Sequence, residues 1–300
     1  MLQETGEHVL ITAGEVHLQR CLQDLRECYA KIQINASQPI VPFRETILAP
    51  WNSADSDATN RIQITTLDKR FSLKVRAASL PVEVVTLLEK NVDLIRSMRQ
   101  LKAANDSLES AMANLKTDDD IISRQLRNQV SKFYQQLDEA FLKANCGQLV
   151  NKILAFGPRR CGPNVLLNLS SMSLPNVWDI GQLDTLSMGS SMLECLSSVI
   201  NGFQLATLAG PLCEEPLMGV AYIVEEMVVS IDPLSLLASN NGGNNGESSS
   251  QVQQQFGPLA GQIMSAVKDG CRRAFQTQPQ RLMAAMYNCS IQVSGEVVGK

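Results

Sequence analysis

Between residues 92 and 141 the apolar positions recur in alternating steps of four and three. They are Leu94, Met98, Leu101, Asn105, Leu108, Met112 and Leu115, then Ile122, Leu126, Val130, Phe133, Leu137 and Phe141 beyond the acidic stretch "KTDDD". This is a heptad seam with one polar asparagine in it. It predicts two helices joined by a short acidic turn and packed as an antiparallel hairpin over about 82–145, with Pro81 opening the first helix where proline is tolerated. A solvent-exposed helical arm without a partner shows the same spacing, and both readings stand on the sequence alone.

Elsewhere the period shortens. "EHVLIT" (7–12) reads as a strand, and the helix after it has Thr12 as N-cap with Glu15 three residues later, a capping box. Its apolar stripe is Leu18, Cys21, Leu22, Leu25, Cys28 and Tyr29, and "AKIQI" (30–34) alternates as a second strand. "SQPIVPFRET" (37–46) is an extended, proline-punctuated connector and the first domain boundary. "RIQITT" and "RFSLKVRAAS" form a hairpin through Leu67-Asp68-Lys69. "KILAFGPRRCGPNVLLNLSS" (152–171) is an apolar segment, a Gly-Pro loop and a strand; residues 190–212 are a helix ending at Gly210-Pro211. "GVAYIVEEMVVSI" (219–231) is a strand with Val220, Tyr222 and Val224 on one face, interrupted by Glu225 and Glu226. Residues 235–255 are too polar to fold alone and read as a flexible loop. An amphipathic helix over 258–278 and a strand over 281–295 complete the set, so the fold class is α+β.

Composition narrows the chemistry. The 300 residues carry a net charge of −4, so no global basic field draws the chain onto nucleic acid, and any RNA contact is local. Eight cysteines at irregular spacings, with no C-x-x-C pair, indicate reduced and mostly buried thiols in a cytoplasmic protein. No apolar run approaches the ~18 residues needed to cross a bilayer, and the first ten residues do not form a signal peptide.

His17, Cys21 and Cys28, with His8 upstream, tempt a metal assignment. Cys21 and Cys28 fall on the stripe that the helix must bury, so the reading adopted is packing. With only two histidines, both near the start, neither a Cys-His pair nor a Ser-His-Asp system can be assembled, and no G-x-S-x-G elbow occurs. The P-loop pattern G-x-x-x-x-G-K-[ST] is absent. Two basic groups remain: Arg159 and Arg160 in the Gly-Pro loop, and Lys268, Arg272 and Arg273 along the last long helix, on or near one face. Either group serves as a solvated surface by default or as a phosphate contact.

Five segments carry a resemblance: "TGEHVLITAGEVHLQRCLQDL", "SQPIVPFRETI", "FGPRRCGPNVLLN", "GFQLATLAGPLCEEPLMGV" and "QPQRLMAAMYNCSIQVSGEVVGK". In this order they resemble elongation factor 2 and elongation factor G, the translational GTPases, and most closely the elongation factor-like GTPase 1 branch. The resemblance implies that residues 1–36 are the end of a ferredoxin-like domain III. It makes 39–277 a ribosomal-protein-S5-like domain IV and 279–300 the start of domain V. GTP and Mg²⁺ then belong to a GTPase domain upstream, and this chain has neither catalysis nor a cofactor of its own. Elongation factor 2 carries a modified histidine at the tip of domain IV. Here the matching stretch is "FGPLAGQIM", with Gly257 at that place, and no histidine follows His17. The implied role is cytoplasmic maturation of the large ribosomal subunit, releasing its anti-association factor together with the Shwachman–Bodian–Diamond syndrome protein. Candidate contacts are Arg159, Arg160, Phe256, Gly257, Pro258, Gly261, Gln262, Lys268, Arg272 and Arg273. The alternatives are an elongation factor 2-type translocation fragment and a helical-hairpin interaction module.

Overall fold

In a computed structural model, the described residues are 8–30, 32–48, 51, 60–108, 119–178, 190–230 and 258–286; of 101–108, 119–124 and 190 only the backbone is described. The chain divides into two compact units, 1–41 and 42–300.

In the first unit, helix α1 (Glu15–Asp24) continues as one π-helical turn over Leu25–Ala30. Its N-cap is Gly14 in extended backbone, not Thr12, and a glycine has no side chain with which to cap the helix. His17 takes over instead: its Nδ1 accepts the Ala13 N–H at 3.2 Å. The strands expected over 7–12 and 30–34 do not form among the described residues, where His8 alone makes an isolated bridge. No described residue of this unit is buried, and Cys28 and Tyr29, expected in a core, are exposed.

The second unit is a three-layer arrangement. Strands β2 (Ile62–Thr65), β3 (Phe71–Ser79), β4 (Ile153–Gly157), β5 (Asn164–Asn168) and β6 (Val220–Val229) form a sheet in the order β2-β3-β6-β5-β4. All neighbours are antiparallel except β5 and β6. That parallel pair needs a crossover, which is supplied by helix α5 (Ser190–Leu208). On the same face lies α6 (Leu259–Gln276), which meets α5 at Gly202, where a Cβ would stand 2.6 Å from the Met264 carbonyl oxygen. The opposite face carries α2 (Val82–Lys90), α3 (Val92–Leu108) and α4 (Asp119–Lys143).

Two cores therefore share one sheet. Phe71, Leu73, Val75 and Tyr222 pack under α5 and α6, while Ala78, Val165, Leu167 and Ile223 pack under α2–α4. In the helical layer, Ile95 and Met98 of α3 and Phe133, Leu137 and Phe141 of α4 are buried against the sheet. The expected seam is thus correct on α4. On α3 Met98 is buried and Leu94 packs half-buried against the core, as expected, and Ile95 widens the stripe by one position.

The two glutamates that interrupt β6 are explained by a bulge. Lys74 pairs with Glu226 but Val75 pairs with Val224, so Glu225 is the extra residue. The insertion returns Met227 to the core beside Tyr222 and Val224. It turns the Glu225 carboxylate toward Arg61 and Arg76, each 2.9 Å away, with Arg76 under the Trp51 ring.

A second, two-stranded sheet pairs β1 (Phe43–Ile47) with β7 (Gln280–Ala284). It is fastened by Glu45, which is fully buried. One carboxylate oxygen accepts the backbone N–H groups of Cys213 (2.9 Å) and Glu215 (3.1 Å), and the other accepts that of Leu212 (2.9 Å). Gly210 is required beneath it, since a Cβ there would overlap the carboxylate.

Replacing Glu45 with Ala leaves three N–H donors without acceptors, so the second unit should lose about 3 kcal/mol or more, read as a lower urea midpoint at unchanged slope. A smaller, pH-dependent effect belongs to the β2–β3 turn. Burial tends to raise the Asp68 carboxyl. Hydrogen bonds from Thr66 and Arg70 outweigh burial and hold it below its ordinary value. Its contribution is therefore complete above about pH 4 and is lost as pH falls through the lowered folded value. Asp68→Asn should cost about 1 kcal/mol at neutral pH, with the gap to wild type closing in acid.

Candidate functional site

The expected site residues separate into two places. The first is an open groove of about 700 Å³ between the β2–β3 hairpin and α6. Ile64, Thr65, Thr66 and Leu67 form one wall; Pro258, Gly261, Gln262, Asp269 and Arg273 form the other. The helix begins at Pro258 because proline fixes φ and lacks an N–H that would otherwise go unpaired. Gly270 brings the helix onto β2, since a Cβ there would collide with the Ile64 side chain. Four expected contact residues (Pro258, Gly261, Gln262 and Arg273) thus share this groove. Phe256 and Gly257 lie outside the described residues, as does the expected loop 235–255.

The last helix's cations do not share one face. Arg273 is exposed in the groove, whereas Arg272 donates to the Gly210 carbonyl at 3.1 Å and pairs with Glu214 at 3.5 Å. Arg272 is therefore a brace for the loop that holds Glu45. Lys268 is half-buried. The reason is angular: Arg272 and Arg273 are successive residues about 100° apart on a helix, so one reaches the Gly210 loop as the other reaches the groove.

The second place is the Gly157–Gly162 turn. Arg159 and Arg160 both have positive φ (56° and 60°), a conformation that costs non-glycine residues energy and must be held by its surroundings. The Arg160 N–H donates to Gln204 Oε1 at 2.7 Å, and Gln204 in turn donates to the Phe156 carbonyl at 2.7 Å. Asn164 ties the turn to β6, donating to the Gly157 and Leu217 carbonyls and accepting the Val220 N–H. Arg159 projects into solvent, while the Arg160 guanidinium lies along α5 and donates to Asn201 Oδ1 at 2.9 Å. The pair is thus divided between two tasks.

The cysteine and histidine cluster does not converge. Among the described residues no group of three or more His, Cys, Asp and Glu side chains is placed to hold a metal ion. Cys271 is inert by burial, its thiol pushed up to about 12. No helix among the described residues is long and apolar enough to cross a membrane.

Arg99 and Glu45 carry structure or charge that the sequence reading passed over. Arg99 sits off the heptad seam and reads as a solvated position. Glu45 lies in a proline-rich connector where burial has no local signal.

The family described as "Elongation factor-like GTPase 1-like domain" matches residues 76–169, from β3 through α2–α4 to β5. The chain is 38% identical to human elongation factor-like GTPase 1 over its full length. It is 34% identical to ribosome assembly protein 1 of Schizosaccharomyces pombe and 30% identical to that of Saccharomyces cerevisiae, again along the whole chain. It spans 31%, 28% and 25% of these three relatives, about a third of their length or less. The chain is thus similar, along its whole length, to the elongation factor-like GTPase 1 and ribosome assembly protein 1 group, and residues 76–169 match the elongation factor-like GTPase 1-like domain.

Proposed function

We propose that the chain is a ribosome-binding region of a factor for cytoplasmic maturation of the large ribosomal subunit, acting by shape and surface contact. The observation that carries this reading is full-length similarity to two proteins named for ribosome assembly. In this reading residues 1–36 correspond to the end of domain III, 39–277 to an S5-like domain IV and 279–300 to the start of domain V. Catalysis, with its GTP and Mg²⁺, belongs to a part of the parent that this chain does not include. The work of the parent is release of the anti-association factor, in concert with the Shwachman–Bodian–Diamond syndrome protein.

Two surfaces suit ribosomal contact. Arg159 stands on a turn whose backbone is held by Gln204 and Asn164, so little loop entropy is lost when it meets a phosphate. The groove beside α6 offers Arg273 and Gln262 at one end of the sheet. A translocation role is disfavoured by Gly257 standing where elongation factor 2 places its modified histidine.

Sedimentation with purified large ribosomal subunits tests the reading. Bound protein should decline as salt rises, because phosphate contacts release counterions. Charge reversal at both Arg159 and Arg273 should cut binding about tenfold or more and flatten the salt dependence by about two phosphate contacts. Absence from the subunit fraction at every salt concentration, or an unaffected double variant, overturns it.

A further inference from the structure

A second groove, of about 250 Å³, runs along the β4 edge of the sheet. Leu154, Ala155 and Phe156 form its floor, α3 contributes Ile95, Met98 and Arg99, and α5 contributes Leu193, Leu196, Ser197 and Ile200. The segment 175–177 closes one side. The floor is thus apolar, and among the described residues the charged groups lining it are two arginines from different elements, Arg99 and Arg160. No carboxylate lines the groove among the described residues.

Burial first, and the charge of Arg99 second, hold Arg160 below the ordinary arginine value. Like charges facing a shared recess without an anion are a cost in the free chain, and an anion entering the recess removes it. Arg160 is also pre-positioned, since Asn201 and Gln204 fix its side chain and backbone. A fixed guanidinium loses little freedom on binding.

We propose that this groove docks a short segment of a partner protein that places an aliphatic or aromatic side chain on the β4 floor and a neighbouring carboxylate between Arg99 and Arg160. The volume suits one or two side chains and falls below the ~300 Å³ of a typical small-molecule pocket. Phe156 is almost wholly buried and offers an RNA base no open stacking face, and the aliphatic Leu154, Met98, Leu196 and Ile200 offer no hydrogen bond to a base edge. Charge and apolarity together therefore select an acidic, apolar peptide. This docking site is separate from the ribosome-contacting surfaces proposed above, and it can stand or fall without them.

Selection of a random twelve-residue peptide phage library on the full chain tests the proposal. Enriched sequences should carry Asp or Glu within three residues of Leu, Ile, Met, Phe or Trp. As labelled peptides they should bind about tenfold or more weakly to Arg99→Glu and to Arg160→Glu, the loss expected for one charge-assisted hydrogen bond. Ser197→Trp, an exposed change that fills the groove, should abolish binding without shifting the melting temperature. Enriched peptides without acids, no enrichment, or equal binding to all three variants overturns the proposal. So does a labelled ten-nucleotide RNA whose binding is lost in Ser197→Trp, or a self-association that the same substitution dissolves.

Discussion

Removing a carboxylate from water costs several kcal/mol unless donors replace the lost hydration. Glu45 meets that condition with backbone: the N–H groups of Leu212, Cys213 and Glu215 in one loop converge on its two oxygens, and Gly210 leaves the space they need. The consequences reach well beyond one residue. The same strand bonds through its main chain to Pro216 and Met218, and Arg272 of α6 closes over the loop from the other side. The connector, the α5–β6 loop and the last helix thereby become one rigid corner. The direction of α6, and with it the groove that Arg273 enters, depends on that corner.

The sheet between the two helical layers explains how one small unit carries two dissimilar surfaces. Its β2 edge is approached by α6 at Gly270, which leaves a wide, polar groove. Its β4 edge lies between α3 and α5, helices of opposite layers, which leaves a narrower recess with an apolar floor. Arg159 and Arg160 are adjacent in the chain, and a turn of two left-handed residues sends one outward and the other along α5. A phosphate-facing role and a peptide-facing role can then occupy neighbouring residues without competing.

Much of the second unit was legible in local pattern. Phe71, Leu73, Val75 and Ala77 alternate as a half-buried strand should, and the turn at Leu67-Asp68-Lys69 falls where its residue types place it. Phe133, Leu137 and Phe141 keep helical spacing because a helix buries one face whatever it packs against. The first unit was less legible. Alternation over 7–12 and 30–34 describes a strand only if a ladder partner exists, and none forms there among the described residues.

The sequence by itself determined most elements of the second unit, the α+β class and the resemblance, since each rests on short periods and on ordered motifs within a stretch of chain; strand β1, read as a connector, and the break between α2 and α3 were not among them. Tertiary structure alone decided the rest. The bulge at Glu225, which turns two apparent flaws of β6 into an ion pair and a core methionine, follows from pairing with β3 more than 140 residues away. The burial of Glu45 follows from a loop some 170 residues distant. The convergence of Arg99 and Arg160 follows from α3 packing beside the turn that leaves β4. Local propensity acts over a few residues, whereas charge, burial and close approach act through space, and there the fold sets the neighbours.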